Sequence, residues 1–130
     1  MAKPGLTMRP AHYPGRAAIE AYGNGGFRFA GMSHRGGLLC LPSGIHGWQA
    51  PLPADLDEAS LASVFAEAAG IEVLLVGTGR DLVPLTKAVR ARCAAEKIVA
   101  EAMATGAAVR TFNVLLAEDR AVAAALMPVD

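Results

Sequence analysis

Hydrophobic and polar positions change rhythm twice along this chain. In the first third, short apolar runs alternate with glycine-rich breaks: AAIEAY (17–22), then Gly23-Asn24-Gly25-Gly26, then FRFAG (27–31). This predicts a β-hairpin, two short runs around a glycine-rich turn. Gly36-Gly37 leads into LLCLPSG (38–44), IHGWQ (45–49) adds another short run, and Pro51 and Pro53 close the β-rich part. The spacing then becomes helical. Asp55-x-x-Glu58 resembles a capping box, Leu61, Val64, Phe65 and Ala68 share one helix face, and Gly70 ends it. The run 71–76, Ile-Glu-Val-Leu-Leu-Val, has the near-continuous apolar character of a strand buried on both faces of a parallel sheet, and Gly77-Thr78-Gly79 stops it. Pro84 suits the first turn of a second helix, through about Lys97. Residues 98–103 read as a strand stopped by Thr105-Gly106; Val109, Phe112 and Leu116 mark a third helix, and 120–127 a last strand before Pro128. A βαβαβ arrangement with right-handed crossovers uses every one of these signals.

Composition narrows the class. The chain has 130 residues, 53% hydrophobic but only 5% aromatic and 18% charged, which is one domain's worth of foldable sequence. Twelve basic side chains balance twelve acidic ones, so a disordered polyelectrolyte and a strongly basic nucleic-acid binder are excluded. Two distant cysteines exclude a disulfide-stapled fold and a cysteine-rich zinc module. Residues 1–16 carry Lys3, Arg9 and Arg16 but no acid and no apolar signal region, and Pro4, Pro10 and Pro14 break any helix. They read as a flexible arm ahead of a single α/β domain over 17–130, leaving room for a weak peripheral contact with anionic lipid. No run is long and apolar enough to span a bilayer. The expected compartment is therefore the cytoplasm, with Cys40 and Cys93 reduced. Arg90 and Arg92 beside Cys93 would lower its pKa, against the favoured role of a small packing residue.

The zero net charge conceals an uneven distribution. Between Arg35 and Arg80 there is no Lys or Arg, while Asp55, Asp57, Glu58, Glu67 and Glu72 fall in that gap; the next helix carries Lys87, Arg90 and Arg92. An acidic helix beside a basic one suits a protein partner or a second copy of the chain, or simply two solvated faces.

One segment carries candidate ligand chemistry. Gly77-Thr78-Gly79 closes a buried strand, where open parallel sheets place their sites, and Thr105 ends the next strand at the same edge. Backbone amides there, the Thr78 and Thr105 hydroxyls and the Arg80 guanidinium would suit a small anion. A dinucleotide fingerprint would need a glycine where Leu82 stands, and no P-loop Gly-Lys-Ser/Thr is present. Asn113, a poor helix former inside the third helix, is a further contact candidate, with satisfaction of buried backbone the favoured alternative. Glu118 and Arg120 are expected to form a structural ion pair. His12, His34 and His46 have no metal-ligand spacing. Ser43 in Leu41-Pro42-Ser43-Gly44 matches no nucleophile elbow and has no evident base in sequence. Trp48 reads as core ahead of an interface anchor.

Three groups of residues occur together in order. They are Gly37 to Trp48 with its Pro-Ser-Gly; the strand ending Leu74-Leu75-Val76-Gly77-Thr78-Gly79; and Thr105-x-x-Ala108-x-x-Thr111-Phe112-Asn113-x-Leu115 followed by Glu118-x-Arg120-x-Val122-x-Ala124-Ala125-Leu126. This combination resembles the Mth-type domain family of unknown function, over about residues 17–128. The family includes the mitochondrial NADH:ubiquinone oxidoreductase complex assembly factor 3 and the adipogenesis-associated Mth-domain protein. The resemblance implies a three-layer β+α/β/α domain with a mixed central sheet, and no established catalytic activity; no cofactor is expected. It also implies a binding or assembly role exerted through protein contacts, with respiratory complex subunits as partners. An enzyme or sensor taking a small anion at the Gly77–Gly79 and Thr105 edge is the alternative. Members often carry a glycine before the strand at Ile98, where this chain has Glu96-Lys97.

Overall fold

Positive φ angles organise the N-terminal third of the computed structural model, which describes residues 12–130. Strands β2 (Ile19–Gly23) and β3 (Gly26–Phe29) form the expected hairpin, its glycine-rich turn made by two left-handed residues, Asn24 (φ 52°) and Gly25 (φ 77°). A second turn of the same hand, Ala30 (φ 48°) and Gly31 (φ 74°), adds β4 (Met32–Arg35) and completes a small antiparallel sheet in the order β2-β3-β4. The fourth strand has no counterpart in the sequence reading. Its turn begins with alanine, which does not advertise a left-handed conformation.

The second hairpin, β5 (Gly37–Leu41) and β6 (Gly44–Trp48), belongs to the larger sheet. Its outer neighbour is β1 (His12–Tyr13), with His12 opposite His46 and Tyr13 opposite Ile45. A side chain at Gly44 (φ 144°) would run into the Tyr13 carbonyl. Of the arm expected over 1–16, the described residues 12–16 are thus joined to the domain, and Arg16 Nη2 donates to the Arg120 carbonyl at 2.6 Å. The arm's residues 1–11 lie outside the described residues.

The expected capping box exists two residues downstream of Asp55-x-x-Glu58. Asp57 Oδ1 accepts from Ser60 N at 2.8 Å and Ser60 Oγ from Asp57 N at 3.0 Å, which holds the Asp57 carboxyl below the usual range. Only one short α-helix follows, α1 (Ala62–Ala66), between 3₁₀ turns at Ala59–Leu61 and Ala68–Gly70. Trp48 is partly buried against this layer and donates Nε1–H to the Ser60 carbonyl at 2.9 Å.

The remainder is β7 (Val73–Gly77), α2 (Lys87–Ala95), β8 (Val99–Met103), α3 (Thr105–Ala117) and β9 (Val122–Leu126). Strand β7 lies parallel between β8 and β9, and β5 pairs antiparallel with β9, giving the mixed order β1-β6-β5-β9-β7-β8. Helix α2 begins three residues after Pro84, because the Thr86 hydroxyl caps it by accepting from Val89 N at 3.2 Å.

Alternate residues of the central strands feed two cores, as the strand period of two requires. Leu39, Leu41, Leu74, Val76, Ala123 and Ala125 face α1 and α2, where Leu61, Val64, Val89 and Cys93 are buried. Leu38, Cys40, Leu75, Ala124 and Leu126 face α3 and the small sheet, meeting Phe27, Phe29, Val109 and Phe112. The architecture is therefore three-layer β+α/β/α. Alanines in β9 let helices approach both faces closely, which is why so few aromatics fill the core.

Both long helices end in Schellman turns. After α2, Lys97 N donates to Ala94 O and Ile98 N to Cys93 O; after α3, Asp119 N donates to Leu116 O and Arg120 N to Leu115 O. The left-handed positions are Lys97 (φ 61°) and Asp119 (φ 59°), so Lys97 takes the conformation that a glycine would supply. Relieving that strain while losing some unfolded-state restriction, Lys97→Gly is expected to raise stability by about 0.5–1 kcal/mol in urea titration.

Candidate functional site

The carboxyl ends of β7 and β8 bring together most of the residues singled out in sequence, and the backbone holds them there. Thr78 N donates to Met103 O at 2.8 Å, Thr105 N to Gly79 O at 2.8 Å, and Gly79 N to Thr105 Oγ1 at 2.9 Å. Gly77 has no room for a side chain: a Cβ would stand 3.0 Å from Leu126 Cδ2 and from Thr105 Cα and Oγ1. Gly79 has φ 95° with open space around it, so its glycine answers to conformation rather than crowding.

Both hydroxyls are engaged inside the fold. Thr105, fully buried, donates Oγ1–H to Met127 O at 2.7 Å while accepting from Gly79. Thr78, 2% exposed, donates to the Asp81 carbonyl at 2.7 Å, lies 3.1 Å from Met103 O, and accepts from Val83 N at 2.9 Å. The hydroxyls staple strand ends to loops. Outside them runs a shallow groove of about 340 Å³ whose wall includes Pro51, Leu52, Gly79, Arg80, Val83 and Pro128. Arg80 is exposed at its lip.

Asn113 sits two turns further along α3. Its Oδ1 accepts from Ile19 N and its Nδ2 donates to Ile19 O, both at 2.9 Å. The amide thus extends the backbone ladder of β2 and ties the small sheet to α3, the backbone-satisfying role.

Two sequence expectations about reactivity are corrected. Burial raises the Cys93 thiol pKa, and the opposing influence of Arg92 is smaller; Cys40, wholly buried, is pushed up to about 12. Ser43 does have a base nearby. Its Oγ lies 2.9 Å from His46 Nε2 and donates to Glu67 Oε2 at 2.6 Å, while Ser43 N donates to Glu67 Oε1 at 2.8 Å. With its proton directed at the carboxylate, Oγ accepts from Nε2–H, and Glu67 caps the Pro42-Ser43 turn. The Ser43-x-x-His46 spacing across a hairpin turn was the available signal; Glu67 is too distant in sequence to have been paired with it.

Charges also find partners inside the chain. Arg92 of the basic helix reaches Glu96 at 2.9 Å and Glu58 of the acidic segment at 3.4 Å, and lies 4.4 Å above the Phe65 ring. Arg120 pairs with Glu72 at 3.0 Å instead of Glu118. These exposed pairs each contribute little to stability. Among the described residues no group of three or more His, Cys, Asp or Glu could hold a metal ion, and no helix is long and apolar enough to cross a membrane.

Fold and site together define a β+α/β/α domain whose strand-end turns are closed by its own hydroxyls. The chain belongs to the family described as "Protein of unknown function (DUF498/DUF598)", whose model matches residues 19–127. It is similar to a crystal structure described as an outer membrane protein from Bartonella henselae, with 55% identity and TM-score 0.87 over 92% of this chain and all of that one. A Bordetella pertussis protein described as a Mth938-like domain shares 29% identity at TM-score 0.76, over 95% of this chain and 92% of that one. An uncharacterized protein of Rhodobacter capsulatus is 40% identical over 95% of this chain and 94% of its own length. NADH dehydrogenase [ubiquinone] 1 alpha subcomplex assembly factor 3 of Mus musculus is 28% identical over 95% of this chain, which spans 66% of that protein's length.

Proposed function

We propose that this chain is a non-enzymatic binding and assembly module that acts through protein contacts in the cytoplasm and assists assembly of a respiratory complex. The observation that carries the reading lies at the strand-end edge. There the Thr78 and Thr105 hydroxyls and the Gly79 amide are all engaged internally, while Leu52 and Leu82 stand 71% and 56% exposed. Such a surface offers apolar contact area to a protein and few free donors to a small anion. The assembly-factor relative supplies the partner class. Affinity capture of the tagged full-length chain from native cells tests this: respiratory-complex subunits should co-purify, and their reproducible absence would count against the assembly role.

Arg80 keeps a second reading, an enzyme or sensor taking a small anion beside Gly77, Thr78, Gly79 and Thr105, because its guanidinium stands exposed at the groove lip. Saturable phosphate-induced shifts of the Gly79 and Arg80 amides, abolished in Arg80→Gln, would support it.

A further inference from the structure

Charge is divided between the two ends of the sequence. The first 54 residues hold five basic side chains and one acidic one, and the remaining 76 hold seven and eleven. The only acid in the small sheet, Glu20, accepts from Gly31 N at 3.2 Å at the β3–β4 turn.

The register of this sheet fixes what its outer face presents. Ala21 stands opposite Arg28 and Arg28 opposite Ser33; in the adjoining row Gly23 stands opposite Gly26 and Gly26 opposite Arg35. Phe27 and Phe29 alternate with these positions, and a register shift between Ile19 and Ala21 turns Ile19 to the same side, where all three are buried against α3. The solvent face therefore carries two exposed arginines, Arg28 and Arg35, beside open backbone at Gly23, around an open hollow of about 410 Å³. Among the described residues neither Arg28 nor Arg35 makes an ion pair. As diagonal neighbours on adjacent strands their backbones lie about 7–8 Å apart.

We propose that this face docks an acidic segment of a partner protein, an extended Glu-x-Glu stretch whose carboxylates are taken by Arg28 and Arg35. The spacing matches: side chains two residues apart on an extended chain project to one face at about 6.6–6.8 Å. Guanidinium forks bind carboxylates with two parallel hydrogen bonds each. At Gly23, where a Cβ would meet open space, no side chain holds a partner backbone away. Two arginines suit a peptide better than a polyanion, since membrane-binding basic clusters use about 4–8 such residues and duplex DNA binders about 6–10 phosphate contacts. The proposal deepens the protein-binding reading above and rests on it for its cellular meaning.

The test uses the full chain and a blocked, fluorescein-labelled peptide, Ser-Val-Glu-Val-Glu-Val-Ser, with a Gln-Val-Gln version as control, at about 50 mM ionic strength. The Glu peptide should bind about tenfold tighter than the control, and Arg28→Gln with Arg35→Gln should reduce it to the control level. Its amide shifts should map to residues 21–35. Equal binding of both peptides, an unchanged affinity in the double variant, or shifts elsewhere would overturn the assignment. So would phosphatidylserine vesicles that retain the wild type and not the double variant while the peptide binds neither. In cellular capture, a double variant that retains every wild-type partner overturns this surface alone, whereas a wild type with no partner overturns the binding reading itself. Both arginines are exposed, so an unchanged melting temperature certifies the variant's fold.

Discussion

Replacing Thr105 by Val is expected to lower the unfolding free energy by about 2–4 kcal/mol, although the two side chains have nearly the same shape. The substitution removes one oxygen that serves two backbone groups. Gly79 N–H loses its acceptor at 2.9 Å and Met127 C=O loses its donor at 2.7 Å, at a residue with no exposure. A buried backbone group left without a partner costs about 1–3 kcal/mol, because desolvation is no longer offset by a bond. The replacement methyl, bulkier than the oxygen, would also crowd a strand end where Gly77 already leaves no room for a side chain. Thr105→Ser is the control: it keeps both hydrogen bonds and loses one methyl, costing about 1 kcal/mol. Urea titrations should separate the two variants clearly. A Thr105→Val loss no larger than that of Thr105→Ser would show that the two internal hydrogen bonds add little to this edge, and would reopen the hydroxyl as a free ligand group. Amide exchange gives a second readout, since Gly79 N–H should lose protection in Thr105→Val and keep it in Thr105→Ser.

Much of the framework was legible because it depends on local signals. The continuous apolar run before Gly77 marked a strand buried on both faces, Thr105-Gly106 marked a strand-to-helix junction, and the Asn24-Gly25 turn marked its hairpin. Even the relation between Gly79 and Thr105 was visible, since a βαβ crossover must bring consecutive parallel strand ends to one edge. What those residues do there was not visible. A threonine at a strand end can face solvent or reach a carbonyl, and only the positions of Met127 O and Asp81 O settle which. The same holds for Asn113, whose partner Ile19 lies ninety-four residues away. Misplaced boundaries have local causes of their own. Thr86 outcompetes Pro84 as the start of α2, and Asp57 with Ser60 forms the box assigned to Asp55 and Glu58. Strand β4 escaped notice because Ala30 accepts a left-handed conformation that the surrounding sheet imposes.

Stability should fall as pH rises from about 9 towards 12, and Cys40 should account for a separable part of that fall. Burial among Leu38, Ala124 and Leu126 leaves a thiolate at this position without solvation, so the thiol's pKa moves from 9.0 to about 12. The sign follows from proton binding. Below the unfolded value both states keep the proton and the contribution is complete; between the two values the unfolded chain releases it while the folded chain retains it. Unfolding is then favoured by about 1.4 kcal/mol per pH unit, approaching about 4 kcal/mol near pH 12. Cys93, whose pKa is also raised by burial, acts in the same direction and remains in both proteins of the comparison. Lysines and tyrosines titrate in this range too, so the quantity to follow is the difference between wild type and Cys40→Ala across pH 8 to pH 11. Cys40→Ala should be less stable at pH 8 by a packing loss of about 1 kcal/mol, and this gap should narrow and then reverse as pH increases. A gap that stays constant would mean that Cys40 ionises in the folded state as readily as in the unfolded one. The central sheet would then admit water at β5, contrary to a strand whose five residues are all buried.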